Sequence, residues 1–275
     1  MNNIVLMIEK DLFKYTEDYI YSIGPLLKCE IILYRYFNNN MIDKQKKYIF
    51  WVRIPSELKI TNETNNIYIF NTEQMCKKYD NWCENMNNIH KQIKIIDFSK
   101  ENLKYMDKTY SSFFLPYQVN YRELYNLKKD KEICIISDNN ISKRRKYIVE
   151  KLKQHNINVD IISGFGKQRD LKIFKYKIIL NIGWTECCKI FESIRCDRCV
   201  YNKMIVISDT KDDQNSNYLK DFIIFEEYEK IPNRVISVLQ NYDTIYKNLF
   251  ENFDIQEIDN KIKKLSLSTV NHLLS

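Results

Sequence analysis

KIILNIGWTECCKIFESIRCDRCVYNKMIVISD, from Lys177 to Asp209, is the stretch whose reading decides the fold. Ile178, Ile179, Leu180 and Ile182 form a short apolar run, the mark of a strand buried on both faces of a parallel sheet. Met204 to Ile207 form a second such run. Between them, the spacing from Cys187 to Cys199 predicts a helix. Strand, helix and strand in that order make an α/β unit. Glu192 falls inside the predicted helix beside its apolar stripe, and Arg195 lies three residues on, so the two share a side. A charged pair there suggests a ligand site at the carboxyl edge of a sheet.

Outward from this unit the same alternation repeats. Toward the N-terminus, strands are predicted at Ile4–Ile8, Glu30–Tyr34, Tyr48–Ile54, Ile67–Phe70, Ile93–Phe98 and Ser112–Leu115. Helices are predicted at Leu12–Leu27, stopped by the Gly24-Pro25 region, from Glu73 to about Met86 behind a Thr72 cap, and from a Ser99 cap to Met106. The second half predicts strands at Ile133–Ser137, Val159–Ile162 and Phe222–Phe225. Its helices are expected at Ser142–Gln154, Lys167–Tyr176, Pro232–Tyr242 and from about Tyr246 onward. Strands alternating with helices imply mostly parallel sheets with right-handed crossovers. The expected organisation is two Rossmann-like domains facing a cleft: residues 1–119, a polar linker at 120–132, a second domain at 133–254, and a C-terminal helix at 255–275.

Composition narrows the functional classes. The chain has 275 residues, with 44% hydrophobic and 29% charged, enough apolar material for two cores. No apolar run approaches the ~20 residues that cross a bilayer, and MNNIVLMIEKD reads as a first strand and not as a signal peptide. A cytoplasmic protein is expected. Alanine is absent and there are only 4 Gly and 4 Pro, a bias toward AT-rich codons. The net charge of +7 is interspersed. No helix carries a dense basic run, so nucleic acid is not the expected partner. The 8 cysteines are expected as free thiols in a reducing compartment. Cys187, Cys188, Cys196 and Cys199 sit on or beside one predicted helix, where they cannot surround an ion tetrahedrally, so they are read as packing.

Several short motifs now come together in order. They are Asn71-Thr72-Glu73-Gln74, Asp97-Phe98-Ser99 with Asn102, Leu115-Pro116-Tyr117, Ser142 through Arg145, Gly164-Phe165-Gly166 through Arg169-Asp170, Leu180-Asn181-Ile182, Phe191-Glu192 with Arg195, and Asn202 through Ser208. Their joint order and spacing resembles a GT-B-type glycosyltransferase family of bacteria and giant DNA viruses. The resemblance implies a two-domain transferase. Its C-terminal domain would hold a UDP- or GDP-linked nucleotide-sugar, and its N-terminal domain a glycan or protein acceptor. The final helix would cross back to the first domain. No other cofactor is implied; a homodimer is left open. A virus of this kind would place the protein in the host cytoplasm.

The residues suggest how such a donor would be held. A diphosphate wants backbone N–H groups at a helix start together with Arg or Lys. The loop Asp138–Lys143, with Ser142, opens a helix carrying Arg144 and Arg145. Gly164 and Gly166 permit close ligand approach, and Phe165 lies where a nucleobase would sit. Arg169 begins the next helix. Lys189 would reach phosphate, and Glu192 would accept the ribose hydroxyls with Arg195 positioning it. Glu73, at a strand-to-helix turn, is the expected catalytic base. No DxD motif stands at a strand end, and no metal is expected. Each assignment has a structural rival: surface charges for Arg144 and Arg145, a tight turn at Gly164, a local ion pair for Arg169-Asp170, an ion pair with Arg195 or Lys189 for Glu192, and a first-turn dipole partner for Glu73. In the family pattern a histidine often follows LNI and a glutamate stands eight before Glu192; here those positions are Gly183 and Trp184. A second expectation is therefore a non-catalytic protein that binds nucleotide or glycan.

Overall fold

The computed structural model of the chain describes residues 3–60, 66–75, 86, 89–137 and 140–275. It divides into two compact units: Met1–Gln118 with Asn260–Ser275, and Val119–Asp259. Each is built on a parallel sheet flanked by helices, the α/β architecture expected.

The sheet of the first unit has six strands in the order β2-β1-β3-β4-β5-β6. They are β1 (Ile4–Glu9), β2 (Glu30–Tyr34), β3 (Lys47–Trp51), β4 (Ile67–Asn71), β5 (Lys94–Asp97) and β6 (Ser112–Phe114). β1, β3 and β4 are almost continuously apolar because helices and loops cover both faces. β2, at the edge, leaves Ile31 and Leu33 exposed. An aromatic core fills one side: Trp51 stacks on Phe70 at 4.7 Å, Tyr19 stacks on Tyr117 at 5.0 Å, and Tyr19 donates its hydroxyl to Leu115 O at 3.0 Å.

Several boundaries differ from expectation. Helix α1 (Lys10–Leu27) does not stop at Gly24-Pro25 but carries Pro25 inside its last turn. It ends at Lys28, whose left-handed φ of 48° turns the chain back so that N–H groups close on Gly24 O. β3 ends at Trp51 and not Ile54, because Val52 takes a left-handed φ of 65°. Residues Thr72 to Met75 are not helical; the rest of the helix expected up to Met86 lies outside the described residues, apart from Met86 itself. Beyond β5, the short helix α2 (Lys100–Leu103) is capped as read, with Ser99 Oγ accepting from Glu101 N–H at 3.2 Å, but it ends at Leu103 and not at Met106.

The sheet of the second unit has five parallel strands in the order β11-β10-β9-β7-β8. They are β7 (Lys131–Ile136), β8 (Asp160–Ile162), β9 (Tyr176–Asn181), β10 (Ile205–Asp209) and β11 (Ile223–Glu226). Its helices are α3 (Lys143–Gln154), α4 (Gly166–Ile173), α5 (Ser193–Tyr201), α6 (Ile231–Gln240) and α7 (Tyr242–Phe250). The opening stretch thus becomes β9, α5 and β10. Its helix is shorter than predicted: Cys187 to Phe191 form a pinned loop and only Ser193 onward is helical. The segment read as a linker is bound into this unit. It holds a 3₁₀ turn at Tyr121–Glu123, Tyr125 N–H donates to Asn202 Oδ1 at 2.6 Å, and Lys129 donates to Phe174 O at 2.6 Å.

Helix α8 (Ile255–Leu274) crosses from one unit into the other in sequence: from Asn260 on it belongs to the first unit. There Ile262 and Leu273 are buried. Gln118 donates to Ser266 Oγ at 3.0 Å, Thr269 donates to Phe114 O at 2.6 Å, and Lys47 caps the helix end by donating to the carbonyls of His272 and Leu273 at 3.1 and 2.9 Å. A cation at these carbonyls satisfies orphan acceptors and opposes the negative pole of the helix.

Candidate functional site

The carboxyl edge of the five-stranded sheet gathers most of the residues singled out in the sequence. Ser142 is the N-cap of α3, its Oγ accepting from Arg145 N–H at 3.3 Å, so its hydroxyl has a structural task. The two arginines that follow diverge. Arg144 donates to Asp209 Oδ2 at 3.1 Å and lays its guanidinium 3.8 Å from the centre of the Tyr228 ring. Arg145 is buried, donates Nε–H to Ile182 O at 2.8 Å, and stands 3.7 Å from Glu192. Glu192 also pairs with Arg195 at 2.5 Å, the partner foreseen from the spacing. The exposed Trp184 ring lies 5.5 Å from the Arg145 guanidinium. Glu192 is the N-cap residue of α5 and not an interior position, because the chain before it is irregular. Lys189 is exposed in that loop, ahead of the helix and not at its start.

Gly164 takes a φ of 98° and Gly166 one of 67°, conformations that favour glycine, so the turn after β8 has a backbone reason for both. Phe165 between them is 48% exposed, open to a flat ligand. Arg169 is placed differently from a ligand-facing cation. It is buried, and its Nε and Nη2 donate to Asp170 Oδ1 at 2.9 and 2.8 Å, while Arg198 donates to Asp170 Oδ2 at 2.9 Å. This three-residue ion cluster ties α4 to α5.

A segment that the sequence reading passed over shapes the edge. Asp209, at the end of β10, accepts from Arg144, from Lys211 at 2.8 Å and from Gly183 N–H at 3.3 Å. Lys211 is buried and also donates to Cys188 O at 2.8 Å. Asp212 N–H donates to Lys189 O at 2.8 Å, and Asp213 accepts from Phe191 N–H at 3.0 Å. Residues 209 to 213 are thus the template on which the loop 183 to 191 is laid. Asp209 was visible as a carboxylate ending a buried strand. Lys211 had no signal, since a lysine in a polar run reads as solvated. Among the six charged side chains joined here, Arg144, Arg145, Arg195 and Lys211 face Glu192 and Asp209, four cations to two anions.

In the first unit, Glu73 is exposed on the turn after β4. Its backbone is held fast: Asn71 and Asn102 both donate to Glu73 O at 2.9 Å, and Asn71 Oδ1 accepts from Glu73 N–H at 3.1 Å. Beneath them Asp97, fully buried, accepts from Asn71 at 2.6 Å, from Ser99 N–H at 2.8 Å and from Asn102 at 3.1 Å. Burial pushes the Asp97 carboxyl up to about 7, outweighing hydrogen bonds that favour its charged form. The Asn71 and Asp97-Ser99-Asn102 motifs are therefore one polar knot beneath Glu73.

Cys196 and Cys199 are buried on α5, and burial pushes both thiols up, Cys199 to about 12, so they are unreactive packing. Cys187 is disulfide-bonded, which corrects the expectation of free thiols throughout. A second buried acid, Asp197, accepts the Tyr218 hydroxyl and anchors the 210–222 segment to α5.

No family model matches the chain. The uncharacterized protein L137 of Acanthamoeba polyphaga mimivirus is 30% identical over 252 residues, covering 87% of this chain and 34% of that protein. The uncharacterized protein R358 of the same virus is 27% identical over 290 residues, covering 97% of this chain and 99% of that protein. The chain therefore spans about a third of the length of L137 and nearly all of R358. Among solved structures, an α1,3-fucosyltransferase superposes with a TM-score of 0.59 at 11% identity, over 97% of this chain and 90% of that one. Anabaena HepE, solved with UDP and glucose, superposes with a TM-score of 0.61 at 9% identity, over 97% and 99%. The fold is the GT-B-like one, and the chain's relatives are giant-virus proteins.

Proposed function

We propose that the chain is a metal-independent glycosyltransferase that takes a UDP- or GDP-linked sugar and passes the sugar to a hydroxyl of a glycan or protein in the host cytoplasm. The observation that carries this is the cluster at the carboxyl edge of the second sheet: Arg144 and Arg145 in the first turn of α3, Glu192 held by Arg145 and Arg195, and an excess of positive charge. Cations early in a helix oppose its dipole by about 0.3–1 kcal/mol each, a placement that an anion beside them would reverse. The side chains supply the charge that would otherwise come from a metal. HepE, of the same fold, was solved with UDP.

In this reading the diphosphate lies on the start of α3 against Arg144 and Arg145. Glu192 accepts the ribose hydroxyls, and Phe165 flanks the base. Glu73 takes the proton of the acceptor hydroxyl as its oxygen bonds to the anomeric carbon. The electron pair of the breaking bond leaves with the nucleoside diphosphate. The knot of Asn71, Asp97 and Asn102 gives Glu73 a fixed backbone.

A panel of nucleotide-sugars tests the reading. A donor that raises the melting temperature and is slowly hydrolysed supports it; a panel with neither effect counts against it. A second reading, a non-catalytic binder of nucleotide or glycan, is favoured by Trp184 at the position eight before Glu192, where the family pattern has a glutamate. It expects stabilisation by ligand without turnover, and a Glu73→Gln variant indistinguishable from the parent. In the catalytic reading Glu73→Gln loses about 10²–10⁴-fold in rate.

A further inference from the structure

In the first unit, two side-chain amides hold the turn after β4, and one carboxylate holds both amides. The strand register sets Asn71, at the end of β4, beside Asp97, at the end of β5. Asn71 Nδ2 donates to Asp97 Oδ2 at 2.6 Å and to Glu73 O at 2.9 Å. Asn102 Nδ2 donates to Asp97 Oδ1 at 3.1 Å and to Glu73 O at 2.9 Å. An amide that turns its nitrogen toward a carboxylate turns its oxygen away from it. Those two oxygens accept the next N–H groups of the turn: Asn71 Oδ1 that of Glu73 at 3.1 Å, and Asn102 Oδ1 that of Met75 at 2.9 Å. All three side chains are buried, so each orientation is fixed by its partners.

The partners of the Asp97 carboxylate are Asn71 from β4, the N–H groups of Phe98 and Ser99 after β5, and Asn102 from α2. Each of them donates, and none of them titrates. On α2, the charged Lys100 lies over the Phe114 ring at 5.0 Å and Glu101 pairs with Lys104 at 2.6 Å. β6, the strand on the other side, consists of Ser112, Phe113 and Phe114. A carboxylate only accepts, whereas a carboxylic acid must also donate. For Asn71 or Asn102 to take that proton, its amide has to turn over. The oxygen is then withdrawn from Glu73 or Met75 N–H, and the nitrogen from Glu73 O.

We propose that Asp97 is the positioning residue for Glu73: its ionised carboxylate orients the Asn71 and Asn102 amides that hold the turn 73–75, and its protonation releases that hold. The role of Glu73 as base rests on the glycosyltransferase reading above. Burial pushes the Asp97 carboxyl up to about 7, so the ionised fraction grows as the pH rises through 7. The turn that presents Glu73 is set in the same interval, and the rate rises with it.

The experiment has two readouts on the 275-residue chain. The first needs no substrate: the Glu73 and Met75 backbone amide signals of the labelled protein are followed by NMR from about pH 5.5 to 8.5. Both are expected to shift with one midpoint near 7 in the parent. Asp97→Asn keeps the shape of the side chain but puts an NH₂ against the amides at every pH, so both signals should lose that step. The second readout is hydrolysis of UDP-glucose and GDP-fucose, with water in place of the acceptor. The parent's kcat should rise through pH 7. Asp97→Asn should lower kcat on the order of a hundredfold, the cost of about 1 Å of misplacement, with KM held and the limb at 7 gone. A merely structural Asp97 would lower the melting temperature and leave kcat per folded molecule and its pH limb in place. Parent amide signals with no step near 7, or a folded Asp97→Asn with the parent's kcat and pH profile, would overturn the proposal. Should Asp97→Asn not fold, the parent's amide titration decides it. If neither nucleotide-sugar is hydrolysed, the underlying reading loses its support, and the amide titration still judges Asp97.

Discussion

At the scale of single residues, Gly183 shows how closely the site loop is packed. A Cβ there would lie 3.0 Å from Cys188 O, 3.1 Å from Cys188 Cβ and 3.1 Å from Thr185 O. The Cys188 carbonyl cannot give way easily, because buried Lys211 holds it at 2.8 Å. Gly183→Ala is expected to destabilise the protein by about 1–3 kcal/mol, a fall in melting temperature of about 2–4 °C per kcal/mol. Differential scanning fluorimetry reads it directly; an unchanged melting temperature would show that the loop can shift. Asp97 offers a second test. Its carboxyl titrates near 7 in the fold, against an ordinary value of about 3.9. The folded state therefore holds the proton more tightly. The stability this gives is complete below about pH 4 and is lost as the pH rises through 7, on the order of a few kcal/mol. Urea unfolding between pH 4 and 8 should show that decline in the parent, and Asp97→Asn should flatten it relative to the parent.

At the scale of elements, the docking of α8 depends on a histidine near its end, His272. His272 stacks on Phe113 at 4.3 Å and meets the Tyr68 hydroxyl at 3.0 Å. Burial, Lys94 and Lys47 push its pKa below the ordinary 6.5. The neutral ring is thus the form the fold holds, and the stability it gives is present above about pH 6.5 and lost as the pH falls through the lowered value. Amide protection of residues 263–274 is expected to drop on acidification from pH 7.5 to 5, and His272→Gln to remove the pH dependence. A protection pattern in α8 that ignores pH in the parent would refute the role. The same scale shows what was legible in the chain. β1, β4, β9 and β10 were readable because two-sided burial writes itself as an uninterrupted apolar run. Glu192 with Arg195 was readable because three residues on a helix is a local spacing. The pair Arg145–Glu192 and the template Asp209–Lys211 were not, because they join distant parts of the chain. Cys187 to Phe191 looked helical because their apolar residues recur at helical spacing, yet Lys211, Asp212 and Asp213 hold them as a loop. Pro25 looked like a stop because the proline rule concerns local backbone bonding, whereas here the last turn closes on Gly24 O.

At the scale of the whole molecule, the first unit is completed by the chain's last residues, while the candidate donor site is built wholly from the second. Stability and ligand binding are therefore expected to separate. Ile262, on α8, is fully buried in the first unit. Ile262→Ala removes three carbons from that core, a cost of about 2–5 kcal/mol. A nucleoside diphosphate bound to the second unit at a hundred times its dissociation constant stabilises that unit by about 2.7 kcal/mol, or roughly 5–10 °C for a domain of this size. In the 275-residue chain, a calorimetric scan of Ile262→Ala should show the first unit's transition moved down and unaffected by UDP or GDP. The transition that the ligand raises should be the same one it raises in the parent, with unchanged affinity. A ligand that restores the first unit's transition, or an Ile262→Ala chain that no longer binds, would mean that the site draws on residues of the first unit. Glu73 and its buried Asn71–Asp97–Asn102 knot would then be the first place to look.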